Sequence, residues 1–381
     1  MALLLLVMVG VVVGVVVASS LLLRWNEVRY GNGRRKEGGC LPPGTMGWPL
    51  FGETTEFLKQ GPSFMKQRRL RYGRLFRTHI LGCPTVMALL SALRQIAGIT
   101  AGPLSDALKT ELCTLVLGTI SLPINLPGTS YYQGFQARTK LVSMLEQMIA
   151  ERRSSDDVHD DMLDALLRSG GDGAREKLSD EQIIDLLIAL IYSGYETMST
   201  TSMMAVKYLS DHPRALDELR REHLDIRKGK SPEEAISYEE FKSMAFTRAV
   251  IFETLRLATV VNGLLRKTTR DVEMNGYVIP KGWRIYVYTR EINYDPSMYP
   301  DPMTFNPWRW LEKNMESHPH FMLFGGGGRM CPGKEVGTAE IATFLHYFVT
   351  RYRWEEEGKN TILKFPRVEA PNGLHIRVQD Y

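Results

Sequence analysis

Apolar positions recur along much of the chain with the period of an α-helix. This pattern predicts helices over 91–117 (broken at 102–103), 135–153, 160–168, 215–228, 238–258 and 334–352. A longer helix is predicted to begin after Ser179, a favourable capping residue, and to end before Pro213. Because that helix is apolar on all sides along most of its length, we expect it to be buried.

Strand signals are shorter and fewer than helix signals. Runs rich in β-branched and aromatic residues predict two short strands within 70–90 and further strands at 264–267, 272–279 and 283–289. The pattern therefore predicts a mainly α protein with small β-sheets.

The first 23 residues differ from the rest, because Ala2 to Leu23 contains no charged side chain. As a helix, these 22 residues would extend about 33 Å, enough to cross the roughly 30 Å apolar layer of a bilayer. A cleaved signal sequence is the alternative, but the run is long for one and no charged segment precedes it. Basic residues follow between 24 and 36, so the remaining chain is expected in the cytosol. The predicted organisation is a transmembrane anchor at 1–23, a basic, proline-rich connector at 24–55 and one main domain at 56–381.

Composition limits the classes of function. The 381 residues are 44% hydrophobic and 24% charged, as in ordinary globular proteins. A formal net charge of +4 is too small to indicate nucleic-acid binding. None of the four cysteines forms a CxxC pair, so neither a zinc site nor a disulfide framework is indicated.

The sequence FGGGGRMCPGK, residues 324–334, places four glycines just before a lone cysteine. A phosphate-binding loop would require Ser or Thr after Lys334, where this chain has Glu335. Two interpretations remain: a structural cysteine beside a plain loop, or a thiolate that binds haem iron. Glycine suits the second, because it lets backbone approach a flat ring closely, and the following helix offers its positive end to the sulfur.

Two further patterns bear on this choice. Glu253 and Arg256 lie on one helix face, which indicates either a surface ion pair or, with Arg309 among tryptophans, a buried charge cluster below the loop. Gly194, Glu196 and Thr197 interrupt the long apolar helix. They indicate either a local kink or a groove where a hydroxyl and a carboxylate deliver protons to dioxygen.

Taken together, these segments resemble the cytochrome P450 haem-thiolate monooxygenases. The glycine-rich loop matches the family pattern FxxGxRxCxG, residues 253–256 match ExxR, and residues 194–197 resemble the oxygen-activation motif, in the family's order. The matching loop residues are Phe324, Gly327, Arg329, Cys331 and Gly333.

The resemblance implies the P450 fold and haem b, with Cys331 as the axial iron ligand. The other implied roles are haem propionate contacts for Arg329 and Arg266, proton delivery for Glu196 and Thr197, and a structural triad of Glu253, Arg256 and Arg309.

Residues 41–85 and 129–381 resemble the plant brassinosteroid C-6 oxidases more closely, as in APNGLHIRV near the C-terminus. This resemblance implies oxidation at C-6 of a 6-deoxo brassinosteroid, with electrons from NADPH through a membrane NADPH–cytochrome reductase. It also implies a single-pass protein of the endoplasmic reticulum membrane, with steroid and membrane lipid as partners and no nucleic acid.

The resemblance breaks after Thr85, since only 95 residues separate Thr85 from Asp180. The family has more helices there, including one with a tryptophan and an arginine that clamp a haem propionate. This chain has no tryptophan between Trp48 and Trp283. We therefore expect a P450 fold lacking part of its N-terminal half, with an internal deletion near 85–100. The alternatives are a hydroxylase acting at another steroid position, a non-catalytic relic or splice form, and a haem-free helical membrane protein.

Overall fold

A computed structural model describes residues 103–381, apart from 120, 156, 158, 160, 169–177, 232–233, 313–314, 319, 359, 365–367 and 372. The predicted anchor, the connector and the strands within 70–90 lie outside the described residues. Within the described part, no helix has both the length and the hydropathy required to cross a membrane. The chain divides into two compact units, and the described part of the smaller one is 263–287.

The larger unit is mainly helical, as the periodicity predicted. Its helices are α1 (Pro103–Thr119), α2 (Ser130–Ser154), α3 (Met162–Arg168), α4 (Asp180–Asp211), α5 (Pro213–Arg227), α6 (Tyr238–Ser243), α7 (Ala245–Ala258), α8 (Thr289–Asn293), α9 (Arg309–Glu312) and α10 (Lys334–Arg351). Short 3₁₀ turns at Met315–Ser317 and Gly327–Arg329 lie between α9 and α10.

Helix α4 connects the two apolar clusters of the larger unit. Its N-terminal half packs with α1, α2 and α3 through Leu108, Leu112, Leu141, Leu145, Leu163 and Leu187. Its C-terminal half packs with α5, α7 and α10 through Met204, Leu209, Leu219, Val250, Phe252 and Leu345. The helices that hold the candidate site therefore share the second cluster.

The start of α4 confirms the prediction made from Ser179. The Ser179 hydroxyl accepts from the Gln182 amide, and the Gln182 side chain accepts from the Ser179 amide, which forms a capping box. The expectation that α4 is buried on all sides holds for only part of it. Leu186, in the N-terminal half, is 36% exposed, because α1, α2 and α3 leave one side of the helix uncovered.

The prediction of one helix over 238–258 is wrong, since the chain forms α6 and α7 with Met244 between them. Met244 has a ψ of 69°, outside the helical range. No side chain of its own segment caps α7. Glu222 of α5 does so instead, because its carboxylate accepts from the Phe246 amide (2.8 Å) and the Thr247 amide (2.9 Å). The break is therefore stabilised by a residue distant in sequence.

The described part of the smaller unit, 263–287, contains two antiparallel pairs. Strand β1 (Leu264–Lys267), at the predicted bounds, pairs with β4 (Arg284–Val287). The single strand predicted over 272–279 is wrong, because β2 (Val272–Met274) and β3 (Tyr277–Ile279) form a hairpin. Asn275 and Gly276, with φ of 53° and 79°, make the two-residue turn that Asn-Gly favours.

A third antiparallel pair, β5 (Tyr352–Glu356) with β6 (Ile376–Asp380), lies in the larger unit. It was not predicted from the sequence. Trp354, on β5, is buried in the second apolar cluster, and its ring lies 4.7 Å from that of Phe348 of α10, tilted by 47°. Pairing between residues 20 to 28 positions apart thus attaches the C-terminal segment to the core.

Candidate active site

The loop before α10 closes on itself and presents Cys331 at the surface. The Cys331 amide donates to the Phe324 carbonyl (2.9 Å), and the Met330 amide donates to the Gly327 carbonyl (3.2 Å). The Cys331 thiol is free and exposed. The loop therefore holds one thiol in a defined place and leaves it accessible.

The glycines of this loop meet backbone requirements and leave one side open. Gly325 and Gly327 have φ of 74° and 65°, in the left-handed region that favours glycine. A Cβ built on Gly327 or Gly328 would meet no atom within 4 Å. Since the surrounding protein does not require the missing side chains there, bare backbone beside Cys331 is available to a flat ligand.

Helix α10 begins at Lys334, three residues after Cys331, and is 18 residues long. No side chain caps its N-terminus at Gly333. The unpaired amides and the positive end of the helix dipole favour an anionic sulfur near this end. The chemistry of the sulfur and its surroundings fits a thiolate ligand.

Glu253 lies at the centre of a buried cluster behind the loop. Its carboxylate receives five hydrogen bonds: from Arg256 Nε (2.9 Å) and Nη2 (2.8 Å), the Asn306 amide (2.9 Å), Arg309 Nε (3.1 Å) and Trp310 Nε1 (2.9 Å). Glu253 and Arg256 are fully buried, and Arg309 is nearly so. The structure thus brings the predicted triad together, with burial that a surface ion pair would lack.

Arg256 also fixes the segment that follows α8. Its Nη1 donates to the carbonyls of Asn293 and Pro302 (2.7 Å each), and its Nη2 donates to that of Thr304. Arg309 holds the same segment through the Pro300 carbonyl (2.9 Å). The two guanidinium groups therefore join α7 to 293–309, which contains no long helix.

Aromatic rings connect this cluster to the cysteine loop. Phe252, next to Glu253, packs edge-on against Trp310, Phe321 and Phe324 at centroid distances of 5.5–5.9 Å. Phe324 is the residue whose carbonyl accepts from the Cys331 amide. The ion-pair cluster thus supports the loop through one layer of rings.

Trp310 was not predicted as a site residue. It joins both parts, since its indole binds Glu253 and its ring lies in the aromatic layer. The sequence signal that could have identified it is its position directly after Arg309.

Helix α4 runs without interruption through Gly194, Glu196 and Thr197. The Thr197 hydroxyl donates to the Ser193 carbonyl (2.9 Å), and Tyr192 donates to a Glu196 carboxylate oxygen (2.7 Å). A Cβ built on Gly337 of α10 would lie 3.6 Å from Met198, the residue after Thr197. The predicted proton-delivery stretch is therefore adjacent to the helix that follows Cys331.

The two predicted propionate contacts are both exposed arginines in different units. Arg329 ends the 3₁₀ turn just before the cysteine. Arg266 lies on β1 and donates to the Leu265 carbonyl (2.9 Å). Their contact with haem stays a prediction.

Comparisons with known proteins agree with the family that the sequence motifs indicated. The family model described as Cytochrome P450 matches residues 104–374. The chain is 72% identical to Cytochrome P450 85A1 of Brachypodium distachyon (98% of this chain, 99% of the relative). It is 68% identical to Cytochrome P450 85A1 of Oryza sativa subsp. japonica (99% and 100%), and 47% identical to Cytochrome P450 85A2 of Arabidopsis thaliana (98% and 98%).

The alignment with the Brachypodium relative extends over 468 positions, 87 more than the 381 residues of this chain. At least that many positions of the alignment therefore have no residue here.

Solved structures share the fold. Retinoic acid-bound cyanobacterial CYP120A1 matches with a TM-score of 0.77 at 22% identity, covering 90% of this chain and 100% of that chain. The cytochrome P450DA heme domain matches with a TM-score of 0.65 at 18% identity, covering 77% and 66%. The predicted fold class, mainly α with small sheets, is confirmed. The family inferred from the motifs is confirmed as well: this chain belongs to the cytochrome P450 family of haem-thiolate monooxygenases.

Proposed function

We propose that this protein is a brassinosteroid C-6 oxidase, which oxidises 6-deoxo brassinosteroids in brassinosteroid biosynthesis with O₂ and electrons from NADPH. The observation that carries this proposal is the identity of 72% and 68%, over nearly the whole chain, to relatives of the C-6 oxidase group. The family implies haem and a reductase that supplies electrons. NADPH as the electron source is part of the proposal.

Haem, once bound, supplies the activation of dioxygen. Cys331 is the residue that would hold it, through an exposed sulfur beside bare glycine backbone. A thiolate ligand donates electron density to iron and favours O–O cleavage. The buried Glu253 cluster and the aromatic layer keep this sulfur in place by fixing Phe324.

Proton delivery falls to Glu196 and Thr197. The Thr197 hydroxyl holds its proton toward the Ser193 carbonyl, so its oxygen is available as an acceptor. Glu196, the residue before Thr197, accepts a hydrogen bond from the Tyr192 hydroxyl. Arg329 and Arg266 would neutralise the two propionates, because buried anions require cationic partners.

We also propose that this chain lacks the segment that joins the end of the predicted strands near 85 to the residues after 100. The excess of 87 alignment positions over the chain length supports this. The missing residues would include the tryptophan and arginine that hold a propionate in the family. Their loss would weaken haem retention and admit water beside the iron.

The consequence is a prediction about turnover. We expect this chain to give at least about tenfold less 6-oxo product per mole of protein than a version with the missing segment restored from the rice relative. A tenfold difference in rate corresponds to about 1.4 kcal/mol in activation free energy. The measurement is product analysis with reductase, NADPH and a 6-deoxo brassinosteroid, with haem content determined in parallel. Equal product and haem content would contradict the deletion proposal.

The restored version also distinguishes the alternatives. A steroid product oxygenated elsewhere would favour the hydroxylase of another position. If the restored version forms product and the original chain forms none, the original chain fits a non-catalytic relic or splice form.

We propose that the protein works at the endoplasmic reticulum membrane. Beyond the uncharged stretch at 2–23, support comes from the turn between α1 and α2. Exposed apolar side chains cluster in sequence in this turn and in the helices beside it: Leu122, Ile124 and Leu126 lie in the turn, Leu117 on α1 and Phe135 on α2. No charged residue occurs from 112 to 137, and an apolar surface of this kind suits contact with lipid.

The predicted topology can be tested with a C-terminal glycosylation acceptor tag. We expect the tag to stay unmodified in cells, because the basic residues after the apolar stretch hold that side in the cytosol. A matched control carries the same tag on a lumenal protein. Glycosylation of the tagged chain would overturn the proposed orientation.

A further inference from the structure

Two histidines meet in the core between α5, α7 and α10, away from the cysteine loop and the ion-pair cluster. His223 of α5 and His346 of α10 are both fully buried. Their Nδ1 atoms are 3.0 Å apart. Neither residue belongs to the motifs that identified the family, and the function proposed above does not use them.

A hydrogen-bond chain continues from this pair. His223 Nε2 lies 3.1 Å from the Thr247 hydroxyl, and that hydroxyl donates to Glu222 at 2.5 Å. Glu222 is the carboxylate that caps α7. This series of hydrogen bonds therefore begins at the N-terminus of α7 and ends on α10.

The direction of each hydrogen bond follows from the Glu222 carboxylate, which can only accept. Because Thr247 uses its proton on Glu222, it accepts from His223, which requires a proton on Nε2. The neutral His223 ring then accepts at Nδ1, so His346 donates from its own Nδ1. His346 Nε2 is left as a buried acceptor without a partner among the described residues. Only one arrangement of protons satisfies the pair while both rings are neutral.

The two ends of this series of hydrogen bonds lie on α7 and α10, the two helices that position the proposed haem ligand. Helix α7 holds Glu253 and Arg256, and α10 begins three residues after Cys331. We propose that Glu222, Thr247, His223 and His346 form a one-directional positioning network that holds α10, and through it Cys331, in place against α7. The proposal rests on Cys331 as the ligand proposed above.

The network requires a neutral His223 ring, because a proton on its Nδ1 would remove the acceptor for His346. The charged groups around it are Glu222 and Arg227 on α5, Lys230 after α5, Glu240 on α6 and Arg351 on α10. Burial lowers the pKa of His223 to about 3, with a further contribution from His346, and burial lowers that of His346 to about 4. The unfolded chain therefore binds more protons below about pH 6.5, so stability falls as the pH decreases from there.

The main test compares two substitutions of His346 in the full chain without haem. His346→Leu removes the donor and leaves His223 Nδ1 unpaired, whereas His346→Asn places an amide donor near the former Nδ1. We expect His346→Leu to accelerate hydrogen exchange in the peptide that contains Cys331, whose amide donates to the Phe324 carbonyl, about fivefold or more, the lower range for one unpaired buried group. His346→Asn should restore most of the wild-type exchange rate. Peptide mass spectrometry after exchange at pH 7.5 measures this segment separately from the rest of the protein.

A second pair of variants tests Thr247, in the middle of the hydrogen-bond network. Thr247→Val removes the hydroxyl that links Glu222 to His223 and should resemble His346→Leu. Thr254→Val is the matched control, because Thr254 is also fully buried on α7 but its hydroxyl bonds only to the Val250 carbonyl (2.8 Å). Equal hydrogen-exchange rates of the peptide with Cys331 in the two valine variants would overturn the proposal.

The pH profile supplies a measurement that general loosening of the core would not reproduce. The urea midpoint of the wild type should fall between pH 7 and pH 5.5, and it should fall less in His346→Asn and in His346→Leu, which each retain one of the two histidines. The proposal is overturned if hydrogen exchange near Cys331 is as fast in His346→Asn as in His346→Leu, or if the fall of the midpoint is the same in both variants as in the wild type. None of these readouts requires haem, so a failure of Cys331 as the iron ligand would be seen separately, in the carbon monoxide spectrum.

Discussion

Replacing Cys331 by serine is expected to abolish the thiolate-type carbon monoxide band of the reduced protein. The loop between Phe324 and Lys334 presents one thiol, near Gly327 and Gly328, where an added Cβ would meet no atom within 4 Å. A serine hydroxyl is not ionised at neutral pH and cannot replace the electron donation of a thiolate. The measurement is the difference spectrum of reduced protein with and without carbon monoxide.

The matched control for this experiment is Cys113→Ser. Cys113 is the other cysteine among the described residues and lies, partly buried, on α1. It should leave the band unchanged. Retention of the band in Cys331→Ser, or its loss in Cys113→Ser alone, would contradict the assignment of Cys331.

Replacing Arg256 by alanine should leave little folded, haem-loaded protein. The change removes both hydrogen bonds from Arg256 to Glu253 and the bonds to three backbone carbonyls, all in the core. Glu253 then keeps only one of its two cationic partners, Arg309, and breaking a buried ion pair costs about 3–5 kcal/mol. Since domains are stable by only about 5–15 kcal/mol, most of the folded population is at risk. Yield of soluble protein and the urea midpoint are the measurements.

Arg138→Ala is the control, because Arg138 forms a single 2.6 Å ion pair with Asp185 at the surface. The side chains of that pair are 44% and 55% exposed, and such pairs contribute about 0–1 kcal/mol. Similar midpoints for the two variants would mean that the Glu253 cluster does not stabilise the fold.

Much of the candidate site could be predicted from short segments of sequence. The cysteine loop is one continuous segment, and its glycines, its thiol and the following helix lie within 28 residues (324–351). Glu253 and Arg256 are three residues apart on one helix, so periodicity alone places them side by side. Arg309 lies 53 positions after Arg256, and it was joined to them in the prediction by its position among tryptophans and by the family resemblance.

Other parts of the site depend on contacts that no local pattern contains. Trp310 and the Asn306 amide reach Glu253 only after the segment 293–309 folds back on α7. His223 and His346 are 123 positions apart, and each alone is indistinguishable in sequence from an ordinary helix residue. Such pairs are determined by helix packing, which brings distant side chains together after local structure has formed.

The sequence by itself determined the features that depend on neighbouring residues: the start of α4 at the Ser179 capping box, the bounds of β1, and the glycine loop that frees Cys331. Only the tertiary structure decided where α6 ends and α7 begins. The residues 238–258 have helical periodicity throughout, but the amides of Phe246 and Thr247 bind the Glu222 carboxylate, so the helix restarts after Met244. A backbone amide accepts the partner that packing supplies, and periodicity contains no information about that partner.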